Sequence, residues 1–168
     1  GDVSVALNGG AQVTPSPTPL LFTSGNWNLP QTVTVTAVDD PVIEGNHSGS
    51  IASVVSSSDG NYNGLVVAPV SVAITDNDTP GVTLVESGGN TVVTEGGATD
   101  TYTMVLTSQP SANVTVTPNG GTQLTNPPAV VFTNANWNLP QTVTVTATDD
   151  NVVEGTHSGT MSHTVASA

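Results

Sequence analysis

Carboxylates occur in this chain in short groups that recur. Asp39-Asp40 is followed by Glu44, Asp149-Asp150 is followed by Glu154, and Asp76-Asn77-Asp78 forms a third kind of group. Hard oxygen donors crowded in this way suit a divalent cation. Calcium takes ~6–8 oxygens in irregular geometry, from loop carboxylates, Asn side chains and backbone carbonyls, whereas magnesium wants a strict octahedron and keeps its waters. The charge balance points the same way. There is no Lys or Arg against 13 acidic residues, a formal charge of −13, and uncompensated carboxylates repel unless a cation sits among them. The competing reading is solvated turn acids, since Asp and Asn favour turns on their own account.

The elements that would position these groups read as strands. Gln31–Ala37 (QTVTVTA) puts Val33, Val35 and Ala37 on one face and Thr32, Thr34 and Thr36 on the other, the period-2 pattern of a half-buried strand; Gln141–Ala147 repeats it. Further strands are expected at Val3–Leu7, Gly49–Ser56, Val66–Thr75, Val82–Val85, Thr91–Thr94, Thr99–Leu106, Val114–Thr117, Ala129–Phe132 and Gly159–Val165. Turn signals separate them, among them Asn8-Gly9-Gly10, Asn63-Gly64, Gly96-Gly97 and Asn119-Gly120-Gly121. No window shows a helical period. Many short strands at this spacing predict an all-β fold of Greek-key-type antiparallel sandwiches. Each acidic pair then follows a strand, at a sheet end where loops gather.

The chain also repeats itself. NWNLPQTVTVTA occurs at Asn26–Ala37 and unchanged at Asn136–Ala147; Phe22-Thr23 matches Phe132-Thr133, and His47-Ser48-Gly49 matches His157-Ser158-Gly159, an offset of 110 residues. That is the size of one sandwich domain. A boundary is expected at Asp76–Gly81, where Pro80-Gly81 breaks the ladder. Residues 1–79 then carry the C-terminal part of one repeat, and 80–168 the N-terminal and central part of the next, lacking its last strand or strands. The window is out of phase with the fold.

Composition excludes several classes. With no base to neutralise phosphate, nucleic acid and anionic membrane surfaces are not expected partners. There is no cysteine, hence no disulfide framework or thiolate chemistry. No apolar run approaches the ~20 residues of a membrane span. No Ser/His/acid set, Gly-rich phosphate loop or basic oxyanion partner is present, so catalysis is not expected.

The opening VTEGGATDTYTMVLTSQPSANVTVT (Val93–Thr117), the string FTxxNWNxPQTVTVTAxDDxxxEGxHSG, and the NYNG and ITDND that follow its first copy resemble the Calx-beta family. This is the immunoglobulin-like sandwich of sodium–calcium exchangers and of many large bacterial surface proteins. The resemblance implies tandem Calx-beta-type sandwiches with calcium at one pole of each. Its ligands would come from an early Glu (Glu95), the acidic pair (Asp39 and Asp40, or Asp149 and Asp150), the following Glu (Glu44 or Glu154), and the closing group Asp76 and Asp78 around Asn77. Where some relatives carry another acid this chain has His47 and His157, poor calcium ligands, so one or two ions per pole are implied. Nine of the 13 acids fall into these groups.

Other residues have competing readings. His47, His157 and His163 could suggest zinc or acid–base chemistry. Without Cys, and with the registered pair in different repeats, loop hydrogen bonding is the expected role. Trp27 and Trp137 could stack on a sugar if exposed; their place before a Pro-initiated strand favours packing at the sandwich edge. The threonine ladder reads as a wet strand face rather than an ice-binding surface, and Tyr62 as a sandwich tyrosine corner. The expected function is a non-catalytic repeat of an extracellular or bacterial cell-surface protein, an adhesin-like stalk or fibre. Its partners would be neighbouring repeats or copies of itself, arranged head to tail. The alternative is a filament subunit in which strands of one copy complete the sandwich of the next. A glycan-binding tip would need a concave site.

Overall fold

The Thr/Val alternation gives the extended backbone its period requires, over about 41% of the chain, in several antiparallel sheets with no α-helix. The computed structural model describes residues 1–168. Its strands are β1 (Val3–Asn8), β2 (Val13–Ser16), β3 (Leu20–Phe22), β4 (Thr34–Ala37), β5 (His47–Ser57), β6 (Val70–Ile74), β7 (Val82–Glu86), β8 (Asp100–Leu106), β9 (Val114–Asn119), β10 (Val130–Phe132), β11 (Gln141–Val145) and β12 (Ser162–Ser167). Two compact units result: Gly1–Asp40 with Glu44–Asp76, and Pro41–Ile43 with Asn77–Ala168. The break in the chain falls between Asp76 and Asn77, inside the acidic group that the sequence marks as a boundary.

The first unit has a four-stranded sheet in the order β3-β1-β5-β6 and a two-stranded sheet β2-β4. Its core is small: Val13, Ile51 and Ile74, flanked by Leu7 and Val72. The second unit has two three-stranded sheets, β10-β9-β12 and β11-β8-β7. Both feed one larger core, with Tyr102, Met104 and Leu106 from β8, Val143 and Val145 from β11, Val116 from β9 and Phe132 from β10.

The repeated FTxxNWN string is a side-chain-locked turn. Asn26 Oδ1 accepts from Thr23 N at 2.6 Å and Asn26 Nδ2 donates to Leu21 O at 3.1 Å; Asn136 does the same to Thr133 N and Val131 O, at 2.6 and 3.3 Å. A short amide side chain thus replaces ladder bonds at the strand end.

Several expected strands differ. Thr91–Thr94 is not a strand. It has no regular secondary structure, and Asp100 tethers it, accepting from Val92 N at 2.9 Å as well as from Thr101 N at 2.7 Å and the Ser87 hydroxyl. These donors, the Ser87 hydroxyl foremost, hold the Asp100 carboxyl below the usual carboxylate range. Strands β2 and β3 were hidden by Pro15, Pro17 and Pro19. Pro lacks an N–H, yet β2 pairs only with β4, and an edge position tolerates it. Gln31–Val33 lies outside β4, whereas the matching Gln141–Val143 opens β11, because β11 has β8 along its whole length and β4 has only β2.

That difference changes burial in identical sequence. Val143 and Val145 are 3% and 2% exposed, while Val35, the match of Val145, is 37% exposed. The alternation expected for a half-buried strand holds in β11 and fails in β4, where every position is exposed. Trp137 packs against the second core, but Trp27 is 71% exposed. The edge-packing role expected of both tryptophans is therefore met by one. The first unit has no counterpart of Tyr102, Met104 and Leu106 to pack against Trp27. Tyr62, read as a sandwich tyrosine corner, is 49% exposed. Its loop is instead held by Asp59, which accepts from Asn61 N at 3.0 Å, and by Asn63, which accepts from Ser57 N at 3.2 Å.

Candidate functional site

Each unit builds the same small polar cluster from the Glu-Gly-x-His segment and a glutamine. In both copies the glycine, Gly45 or Gly155, has φ +68°, a left-handed conformation that residues with a Cβ adopt only at a cost. This bend turns the histidine back over its own loop. His157 Nδ1–H donates to Gly155 O at 3.0 Å, and His47 Nδ1–H to Gly45 O at 2.8 Å.

The glutamine comes from the NGG turns, Asn8–Gly10 and Asn119–Gly121, each closed by the Asn side chain accepting from the second glycine's N–H. Their first glycine must remain glycine: a Cβ on Gly9 would lie 1.9 Å from Val13 O, and one on Gly120 2.5 Å from Leu124 O. Gln12 O accepts from Val38 N, and Gln123 O from Thr148 N, each at 2.9 Å. Each glutamine is thereby bonded to the residue preceding an acidic pair. Its side chain continues the link, Nε2 donating to Glu44 Oε1 at 3.1 Å or Glu154 Oε1 at 3.2 Å. The amide oxygen then faces the imidazole, with His47 and His157 Nε2 each 3.0 Å from it. The same Nε2 atoms lie 3.3 Å from the Glu44 and Glu154 carboxylates. The loop hydrogen bonding expected of the two histidines is what they do.

The second unit adds acids. Glu95 sits on a tight turn closed by Thr94 N to Ala98 O at 2.9 Å. Glu95, Glu154 and His157 bring ligand atoms within 4.8 Å of one another, beside a cleft of about 350 Å³ that Gln123 and Leu124 also line. Asp149 lies over the same turn, with its Oδ1 3.4 Å from where a Gly96 Cβ would be. Asp150 accepts from Val152 N at 2.7 Å. His157 faces acceptors at both ring nitrogens, and its pKa is raised, first by the bond to Gly155 O and further by Glu154, Glu95 and Asp150, with burial opposing them. Protonation of this ring would place a local cation in a cluster that otherwise lacks one.

The first unit holds a different part of the pole. Asp76 Oδ2 accepts from both Glu44 N and Gly45 N, at 2.8 Å each. This carboxylate therefore caps the bend that carries Glu44 and His47. Asp39 and Asp40 follow β4 on an exposed loop. Asp76 belongs to the first unit, and Asn77 and Asp78 to the second.

Of the sequence-assigned residues, the structure thus gathers Glu95, Asp149 and Glu154 in the second unit, and Glu44 with Asp76 in the first. Gln12 and Gln123 were missed. Their signal is the repeated NGGxQ, which lies 111 rather than 110 residues apart because the first copy has one more residue before its Phe-Thr. As donors, the carboxylates of Glu95, Asp149 and Glu154 and the amide oxygen of Gln123 are hard oxygens suited to calcium. His157 is the one borderline nitrogen among them. A scan of protein-family models finds no match to this chain, and a search of curated proteins likewise finds none.

Proposed function

We propose that the chain is a non-catalytic structural segment of a large extracellular or bacterial surface protein, built from tandem Calx-beta-type sandwiches and binding calcium at the acidic pole of each. The observation that carries this reading is the approach of Glu95, Glu154 and His157 ligand atoms to within 4.8 Å, in a chain of net charge −13 with no Lys or Arg. The shared core drawn from two sheets of the second unit supports the sandwich. The duplicated Gln–Glu–His cluster supports a repeat.

Calcium would be held by Glu95, Glu154 and Asp149 in one pole and by Glu44, Asp76 and the Asp39-Asp40 pair in the other. Bound there, it would neutralise the acids and tie the early turn to the Glu-Gly bend. The polypeptide's own contribution is positional: the glycine bend, the glutamine bridge and the capped amides hold carboxylates at close range. Metal binding to a folded site stabilises the fold by mass action.

The test is thermal unfolding and calorimetric titration with calcium against magnesium at equal ionic strength. Calcium is expected to bind and raise the Tm, more than magnesium does, and Glu95→Gln with Glu154→Gln to remove the second unit's share of that excess. Equal responses to the two ions would remove the specific calcium role and leave solvated turn acids.

A further inference from the structure

We infer that Asn8 is a site of spontaneous deamidation and isoaspartate formation, and that Asn119, its match in the second unit, is protected from the same reaction by Asn126. In an Asn-Gly step the glycine amide nitrogen attacks the asparagine side-chain carbonyl. The N–Cγ bond forms, the Cγ–Nδ2 bond breaks, and ammonia leaves with the proton that the glycine nitrogen gave up. Water then opens the succinimide, at one carbonyl to aspartate and at the other to isoaspartate, in which the main chain runs through Cγ. Water is the only co-reactant. The rate depends on how freely the glycine N–H loses its proton and turns toward Cγ.

The chain has three Asn-Gly steps, at Asn8, Asn63 and Asn119. A side chain after the asparagine would slow the reaction by crowding the nitrogen, but the NGG turns cannot carry one. A Cβ on Gly9 or Gly120 would strike Val13 O or Leu124 O. What separates the three sites is the partner of the glycine N–H. Gly64 N donates to Val55 O at 3.1 Å, and Asn63 Oδ1 is itself held by Ser57 N at 3.2 Å. Gly120 N donates to Asn126 Oδ1 at 2.8 Å. Gly9 N makes no hydrogen bond. Along the 111-residue offset of the NGG turns, Pro15 stands where Asn126 does, and proline has no side-chain acceptor.

The two NGG turns are matched in the other features that set the reaction's geometry. Asn8 Oδ1 accepts from Gly10 N at 2.9 Å and Asn119 Oδ1 from Gly121 N at 3.0 Å, so the carbonyl under attack is fixed and polarised alike. Both asparagines are exposed and both following glycines are buried. The difference lies in one hydrogen bond, worth roughly a tenfold change in rate. Its consequence reaches the polar cluster. Isoaspartate at position 8 lengthens the turn by a methylene and so moves Gln12 relative to Glu44 and His47, which it bridges.

The full chain is aged in EDTA at mildly alkaline pH in heavy-oxygen water, so that only new conversion is counted. Digestion with pepsin in acid then halts the reaction and needs none of the Lys or Arg that the chain lacks. Fragmentation mass spectrometry counts aspartate and isoaspartate at each position. Asn8 is expected to convert about tenfold faster than Asn119 or Asn63 in the folded chain, and at a similar rate to them in urea. Asn126→Ala should raise Asn119 conversion toward that of Asn8 and leave Asn8 unchanged, whereas Asn126→Asp, which keeps the acceptor, should not. Each variant is aged below its own Tm, so that lost folding cannot stand in for a freed N–H. Equal conversion of Asn8 and Asn119 in the folded chain, or conversion of Asn8 only in urea, would overturn the inference. So would an Asn119 rate that ignores Asn126→Ala.

Discussion

Single residues carry opposite charge logic in the two kinds of histidine. His163 accepts from the Tyr102 hydroxyl at 2.7 Å, with the rings edge to face at 5.4 Å, and burial lowers its pKa. The folded state then resists a proton that the unfolded chain takes up near pH ~6.5, so stability is complete above that value and declines as pH falls below it. The His163 contribution to the second unit's stability should therefore fall as the pH drops below ~6.5, opposed by that of His157, whose pKa is raised, and His163→Gln, which keeps an acceptor but cannot titrate, should remove it in scanning calorimetry. Gly155 is fixed by geometry instead. Gly155→Ala places a Cβ at φ +68° and should cost about 1–2 kcal/mol, read as a lowered urea midpoint. The acidic positions were legible from type and spacing alone. The glutamines were not, because a one-residue slip between the NGG turn and the Phe-Thr turn breaks a fixed ruler, and a neutral amide carries no charge signal.

At the scale of elements, a strand's length and burial are set by its neighbour. QTVTVTA folds to a five-residue half-buried strand next to β8 and to a four-residue exposed one without it. Most strand positions could be read from period-2 alternation. The prolines of β2 and β3 masked two edge strands, and no local pattern could say that β4 would be uncovered. Met104→Ala, at 1% exposure, should cost about 2–5 kcal/mol. Val145→Ala should destabilise its unit by clearly more than Val35→Ala destabilises the first. Unfolding followed through Trp137 in a Trp27→Phe background and through Trp27 in a Trp137→Phe background separates the units.

Across the whole molecule the electrostatics are governed by a charge of −13 with no fixed basic side chain. Self-repulsion of this kind destabilises compact states and is screened over ~10 Å at 0.1 M salt and ~3 Å at 1 M. Tm should therefore climb with NaCl from low ionic strength, most steeply below about 0.1 M. An unchanged Tm across that range would mean the acids are already compensated within the fold. No helix is long and apolar enough to cross a membrane.

The twelve residues shared by Asn26–Ala37 and Asn136–Ala147 form a matched pair of reporters. Amide hydrogens in the two copies have the same side-chain neighbours, so their chemical exchange rates in an unstructured chain are the same. The ratio of the Val35 and Val145 exchange rates in an NMR series is then a ratio of protection factors that needs no reference peptide.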